Sequence, residues 1–149
     1  MYKTILVPLD GSKRAERILP HVEELALRFE AKVIFIQVVE PSFKTFDPHG
    51  SDQVMYGEMV DDLIKKAEAY LNALKGEYRE KGVRVKTIVE CGGVVGMISN
   101  IAEREDVDLI AMASHGWTGL SRVFYGSVAA GVLQQVNRPL LLIRARGDS

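Results

Sequence analysis

The stretch Met112-Ala113-Ser114-His115-Gly116-Trp117-Thr118-Gly119-Leu120-Ser121-Arg122-Val123-Phe124-Tyr125-Gly126-Ser127 is the part of the chain best equipped for chemistry. Glycines let the backbone turn and approach a ligand closely, and successive inward N–H groups form a nest for an anion. Gly126-Ser127 then opens a helical pattern, whose amino end favours negative charge. Ser114, Ser121 and Ser127 add hydroxyl donors, and Arg122 adds a cation. Phosphate is the guest that this set of groups suits. From Ala113 to Val128 there is no Asp, Glu or Lys, so the segment lacks the metal-holding and nucleophile-orienting groups of fast phosphoryl transfer. The segment suits holding a phosphate group rather than transferring one.

Two other segments compete with it. Pro8-Leu9-Asp10-Gly11-Ser12 contributes Asp10, the acid able to touch a Mg2+ ion that phosphate oxygens mostly hold. Asp10 also suits a purely structural role, capping a helix start near Ser12. Cys91-Gly92-Gly93-Val94-Val95-Gly96 lacks the G-x-G-x-x-G spacing and follows the third strand, whereas a dinucleotide fingerprint follows the first. No Walker-type G-x-x-x-x-G-K-S/T is present, and a phosphoryl-accepting receiver would need paired acids where only Asp10 stands. No His/Cys/Asp spacing suggests a structural metal site. Cys91 reads as a buried, inert thiol, His21 and His49 as structural or exposed residues, and Trp117 as a packing residue. His115 is as well read as a solvated loop residue as a ligand contact.

The elements that must position these groups follow from hydrophobic periodicity. Tyr2–Leu9 is a continuous apolar run, as in a strand buried on both faces. Ser12 is placed as an N-cap, after which Ala15, Ile18, Leu19, Val22, Leu25, Ala26 and Phe29 recur on one helical face. Lys32–Val39 is a second strand and Pro41–Asp52 a loop. The loop region Pro41–Gly57, with Phe43, Phe46, Met55 and Tyr56, is read as a lid, a partner surface or a connection packed on itself. A helix follows with Leu63, Ile64, Ala67, Tyr70, Leu71, Leu74 and Tyr78 on one side, closed by Gly82. Val83–Glu90 is a third strand, then a short helix carries Val95, Ile98, Ile101 and Ala102. Val107–Met112 is a fourth strand, and Val128, Ala129, Val132, Leu133 and Val136 mark a last helix before the fifth strand, Leu140–Ile143. Strands alternating with helices imply right-handed crossovers and a parallel sheet covered on both faces. The expected fold class is α/β, a doubly wound five-stranded parallel sheet forming one domain over residues 1–149. In such sheets ligands bind beyond the carboxyl ends of the strands, where the strand order reverses.

The bulk properties agree. At 149 residues the chain has room for one domain, and its 47% apolar and 26% charged content is that of an ordinary globular protein. The balance of 19 basic against 20 acidic residues leaves no electrostatic footprint for nucleic acid. Apolar runs stop far below the roughly 18–20 residues that cross a bilayer. Met1-Tyr2-Lys3-Thr4-Ile5 leads directly into a strand without a signal-peptide pattern, and a single cysteine excludes an internal disulfide. A cytoplasmic setting is therefore expected.

On these residues the chain resembles the universal stress protein family, in particular its ATP-binding branch. That branch carries Gly-x-x-Gly, nine residues, then Gly-Ser/Thr; here Ala113-Ser114-His115-Gly116, nine residues Trp117–Tyr125 and Gly126-Ser127 stand in that place. The Val7-Pro8-x-Asp10 opening, Val107-Asp108-Leu109-Ile110 and Arg138-Pro139 fit as well. The resemblance implies that Pro8, Leu9 and Asp10 line adenine and ribose, with Val38 closing the pocket and Met112 and Ala113 against the sugar. It implies that Ser114, His115 and Gly116 border the phosphates, which Gly126, Ser127 and Val128 cap. It further implies strand order 3-2-1-4-5, ATP or ADP as ligand with Mg2+ bridging the phosphates, and dimers through the last strand. Leu140–Ile143, an apolar edge strand, suits such pairing on its own account.

Ala113 is the departure, standing where the branch has glycine. Because Leu109–Met112 lead into it, an extended conformation is expected, in which the methyl costs little; a positive φ would cost about 1 kcal/mol or more. The expected function is a dimeric, ATP- or ADP-binding regulatory or stress-response module with at most slow ATP hydrolysis. The alternative is a dimeric interaction protein of the same fold with an empty pocket, Ala113 being the first sign of its loss.

Overall fold

A computed structural model describes residues 1–40, 52–115 and 126–145, with side chains of 52–56 and 115 left aside. Five strands, β1 (Thr4–Pro8), β2 (Lys32–Val39), β3 (Arg84–Cys91), β4 (Leu109–His115) and β5 (Leu140–Ala145), form one sheet in the order β3-β2-β1-β4-β5. All four neighbouring pairs are parallel. The helices are α1 (Leu19–Phe29), α2 (Asp52–Glu80), α3 (Val94–Arg104) and α4 (Ser127–Gln135). This is the doubly wound fold and strand order expected from the sequence.

Side chains alternate across the strands and build two cores. Ile5, Val7, Val33, Phe35, Val85, Leu109 and Ala111 pack under Val22 and Ala26 of α1 and Leu71, Leu74 and Tyr78 of α2. Leu6, Ile34, Ile36, Ile110 and Met112 pack under Ile98 and Ile101 of α3 and Ala129 and Val132 of α4. Phe35 and Tyr78 meet edge to face, with ring centres 5.2 Å apart. Gly82, at φ 89°, turns the chain out of α2 toward β3, with the Val83 amide donating to the Tyr78 carbonyl at 3.0 Å.

The chain leaves β1 through a polar turn rather than directly into α1. The Ser12 amide donates to Asp10 Oδ1 at 2.9 Å, and the Ala15 amide donates to Ser12 Oγ at 3.1 Å. Ser12 thus caps as expected, but what it opens is a single 3₁₀ turn, Ala15–Ile18. Pro20, in the first turn of α1, has no N–H to bond the Glu16 carbonyl in α-helical fashion. The Leu19 amide bonds it instead, in the tighter i→i+3 pattern. Tyr70 of α2 donates its hydroxyl to Glu16, which ties this turn to the long helix. Burial, this bond and the nearby carboxylates of Glu16 and Asp10 all push the Tyr70 phenol above its ordinary value.

The two sheet edges differ. β3 carries Arg84, Lys86 and Glu90; Lys86 pairs with Glu105, and Arg104 with Glu90 at 3.7 Å. The Lys86 hydrogen bond holds the Glu105 carboxyl below its usual value. β5 presents Leu140, Leu141, Leu142 and Ile143, each half-buried.

Candidate functional site

β1 and β4 are hydrogen-bonded neighbours only near their amino ends, where Ile5 pairs with Leu109 and Leu6 with Ile110. Beyond that point β1 stays with β2, through Pro8 opposite Ile36, while β4 stays with β5, through His115 opposite Ala145. The two middle strands therefore part at their carboxyl ends, and a crevice opens between them. This is the topological switch point at which such sheets bind ligands.

The crevice encloses a cavity of about 160 Å³. Its walls include Pro8, Leu9 and Asp10 after β1, Val38 of β2, Met112 and Ala113 of β4, and Val128 of α4. Seven residues singled out from the sequence thus surround one hollow. Ser114 lies two residues beyond Met112, on the same side of β4, and is 1% exposed. Its Oγ has no hydrogen-bond partner among the described residues. A buried hydroxyl without a partner costs free energy.

Gly126 immediately precedes α4, buried and at φ 87° and ψ 149°, a conformation that L side chains rarely adopt. No side chain caps α4 there. Its first amides, from exposed Ser127 and half-buried Val128, are the kind of unsatisfied donors that draw an anion. Ala113 continues β4 opposite Ile143 and is not among the residues with positive φ, so its methyl sits on extended backbone as expected. His115 ends β4 at the same rim. Gly116, Trp117, Ser121 and Arg122 lie outside the described residues, as does the loop 41–51 with Phe43 and Phe46 and the side chains of Met55 and Tyr56. The loop expected over Pro41–Gly57 ends sooner, because α2 already begins at Asp52, an acidic residue of the kind favoured in a first helical turn.

Four wall residues were not singled out for the site: Arg14, Ala15, Val94 and Ile98. Ala15 and Ile98 carried the apolar helical pattern and were absorbed into the core. Val94 follows Gly92-Gly93 at the carboxyl end of β3, the correct rim for a ligand. Cys91 was expected to be buried but is exposed, because it is the last residue of an edge strand. Arg14 stands four residues after Asp10, a spacing that brings two side chains together in a helical turn; Nη2 lies 3.9 Å from Asp10 Oδ2. Asp10 also takes the turn-capping role foreseen for it, through the Ser12 amide.

A larger open groove, about 550 Å³, lies at the opposite end of the strands among Tyr2, Pro20, His21, Leu25, Pro139 and Leu140. It sits at the end of the sheet that doubly wound folds do not use for ligands. Among the described residues no group of three or more His, Cys, Asp or Glu stands together, and no helix is long and apolar enough to cross a membrane.

Fold and crevice together define a doubly wound α/β protein with a ligand-type hollow at its switch point. Residues 1–144 match the family model described as the universal stress protein family, and the chain belongs to that family. It is 32% identical to universal stress protein MJ0577 of Methanocaldococcus jannaschii, over 99% of this chain and 98% of that one. A solved structure of MJ0577 superposes with a TM-score of 0.84 at 34% identity, covering 100% and 99% of the two chains. A universal stress protein from Archaeoglobus fulgidus, solved in complex with dAMP, shares the fold with a TM-score of 0.61 at 20% identity, covering 95% and 98%.

Proposed function

We propose that this chain is a nucleotide-binding regulatory protein that holds ATP or ADP in the crevice between β1 and β4. The observation that carries this is Ser114 Oγ, buried and without a partner. A buried hydroxyl of this kind calls for a partner, and a bound ligand would supply one. The uncapped start of α4 supplies donors of the same preference nearby. Pro8, Leu9, Asp10, Val38, Met112 and Ala113 would enclose the adenosine; Ser114, His115, Gly116, Gly126, Ser127 and Val128 would hold the phosphates. The Archaeoglobus relative with dAMP is consistent with an adenine nucleotide as the guest.

Mg2+ would arrive with the nucleotide and be held mostly by phosphate oxygens. Asp10 is the carboxylate that the described cavity wall offers it. Among the described residues the wall offers one acid and no base to orient a nucleophile, so hydrolysis would be slow at most. Two copies would join along the apolar edge of β5, Leu140–Ile143. The setting would be the cytoplasm, with residues 1–149 acting as one domain in a stress or metabolic response.

Titration with ATP and Mg2+, checked by displacement of a fluorescent nucleotide, tests the proposal. Binding at millimolar ATP or below is expected. Absence of both heat and displacement at millimolar ATP leaves the alternative, an interaction protein with an unused pocket. Turnover above about 1 s⁻¹, the lower end of ordinary enzyme rates, contradicts the regulatory role. Light scattering showing only monomer at tens of micromolar contradicts the dimer.

A further inference from the structure

Arg14 is the cationic side chain in the described wall of the crevice, set beside Ala15, Ala113 and Val128. Its backbone is fixed: Arg14 is helical, at φ −63° and ψ −48°, and Ser12 Oγ binds the next amide. Its side chain is 26% exposed and forms an ion pair with Asp10, Nη2 lying 3.9 Å from Oδ2. Asp10 keeps a separate tether through Oδ1, which accepts from the Ser12 amide. The carboxylate therefore stays in place when the guanidinium moves.

We infer that Arg14 reads the charge of the ligand: it exchanges Asp10 for a phosphate group of the bound nucleotide. The inference rests on the nucleotide site proposed above. A guanidinium fork matches phosphate geometry and carries a charge at every physiological pH. A polyphosphate offers it more negative charge than one carboxylate does. The same movement leaves Asp10 Oδ2 available to accept a hydroxyl from the sugar. Arg14 is then a specificity residue, making affinity depend on the phosphates rather than on adenosine alone.

Titrations of the full chain with adenosine and with ATP, for wild type, Arg14→Ala, Arg14→Gln and Arg14→Lys, test this. Arg14→Ala and Arg14→Gln should lose about tenfold in ATP affinity (about 1.4 kcal/mol) while changing adenosine affinity less than twofold. Arg14→Lys should recover part of the loss, as a point charge without the fork. The salt dependence of ATP binding should also be shallower in Arg14→Gln than in wild type. Equal losses for adenosine and ATP would make Arg14 a mere wall, and unchanged ATP affinity in a folded variant would remove it from the site; either overturns the inference while leaving the crevice as a nucleotide site. A wild-type chain that binds neither compound overturns both.

Discussion

Ser114→Ala should move stability and binding in opposite directions. In the ligand-free chain the Ser114 hydroxyl is buried and unpaired, a state that costs about 1–3 kcal/mol. Alanine removes the oxygen and leaves less than a methyl group of empty space, so the ligand-free variant should gain about 1 kcal/mol. For a domain of this size that raises the melting temperature by roughly 2–4 °C. In the proposed complex the same hydroxyl would donate to a charged phosphate, a bond that contributes about 1.5–3 kcal/mol. ATP affinity should therefore fall about tenfold or more, and the stabilisation by saturating ATP should shrink with it. The two melting curves should cross: the variant above wild type without nucleotide, below it with nucleotide. Scanning calorimetry at zero and millimolar ATP–Mg2+ reads both. A variant that melts lower without nucleotide, or that keeps the full wild-type shift, would refute the role given to Ser114.

Two further outcomes concern the frame around the site. A Cβ on Gly131 of α4 would stand 2.7 Å from Cγ2 of Val95 on α3; Gly131→Ala should therefore destabilise by about 1 kcal/mol, overpacking of roughly 1–3 kcal/mol outweighing the gain in helix propensity of about 1 kcal/mol. In a Val95→Ala background the same change should become stabilising, which urea denaturation of the double-mutant cycle would show. Burial, with Glu23, Glu77 and Glu16 nearby, pushes the Tyr78 phenol up to about 12. A raised value favours the neutral form in the fold, so its contribution is complete below pH of about 10 and is lost as pH rises toward about 12. Tyr78→Phe should flatten that alkaline loss and cost about 0.5–1.5 kcal/mol at neutral pH, through the missing bond to the Leu19 carbonyl.

Much of the fold was legible because two-sided burial writes unbroken apolar runs, as in Ile5–Val7 and Val33–Ile36. Strand order was not readable from periodicity, which does not report neighbours; it came with the family resemblance. The fourth strand was expected over Val107–Met112 but spans Leu109–His115. Val107 is apolar because it is buried under α3, its amide bonded to the Ala102 carbonyl after Asp106 turns at φ 48°. Asp108 is occupied in accepting the Lys3 and Thr4 amides. At the other end Ser114 and His115 look like loop residues, since polar types belong where a strand runs into a crevice. The residues on the apolar side of the crevice came with the family resemblance, as the strand order did. Arg14 carried no such signal, because a charged residue in a helical pattern is by default read as facing water.

The unlike edges of the sheet bear on how far assembly can go. A strand bordered by Arg84, Lys86 and Glu90 is a poor template for another backbone, while Leu140–Ile143 is a good one. In the proposed dimer, joined along these leucine-rich borders, both remaining flanks would be studded with charge. Growth would then stop at a pair, whose ten-stranded slab would offer no sticky flank from which a fibre could start.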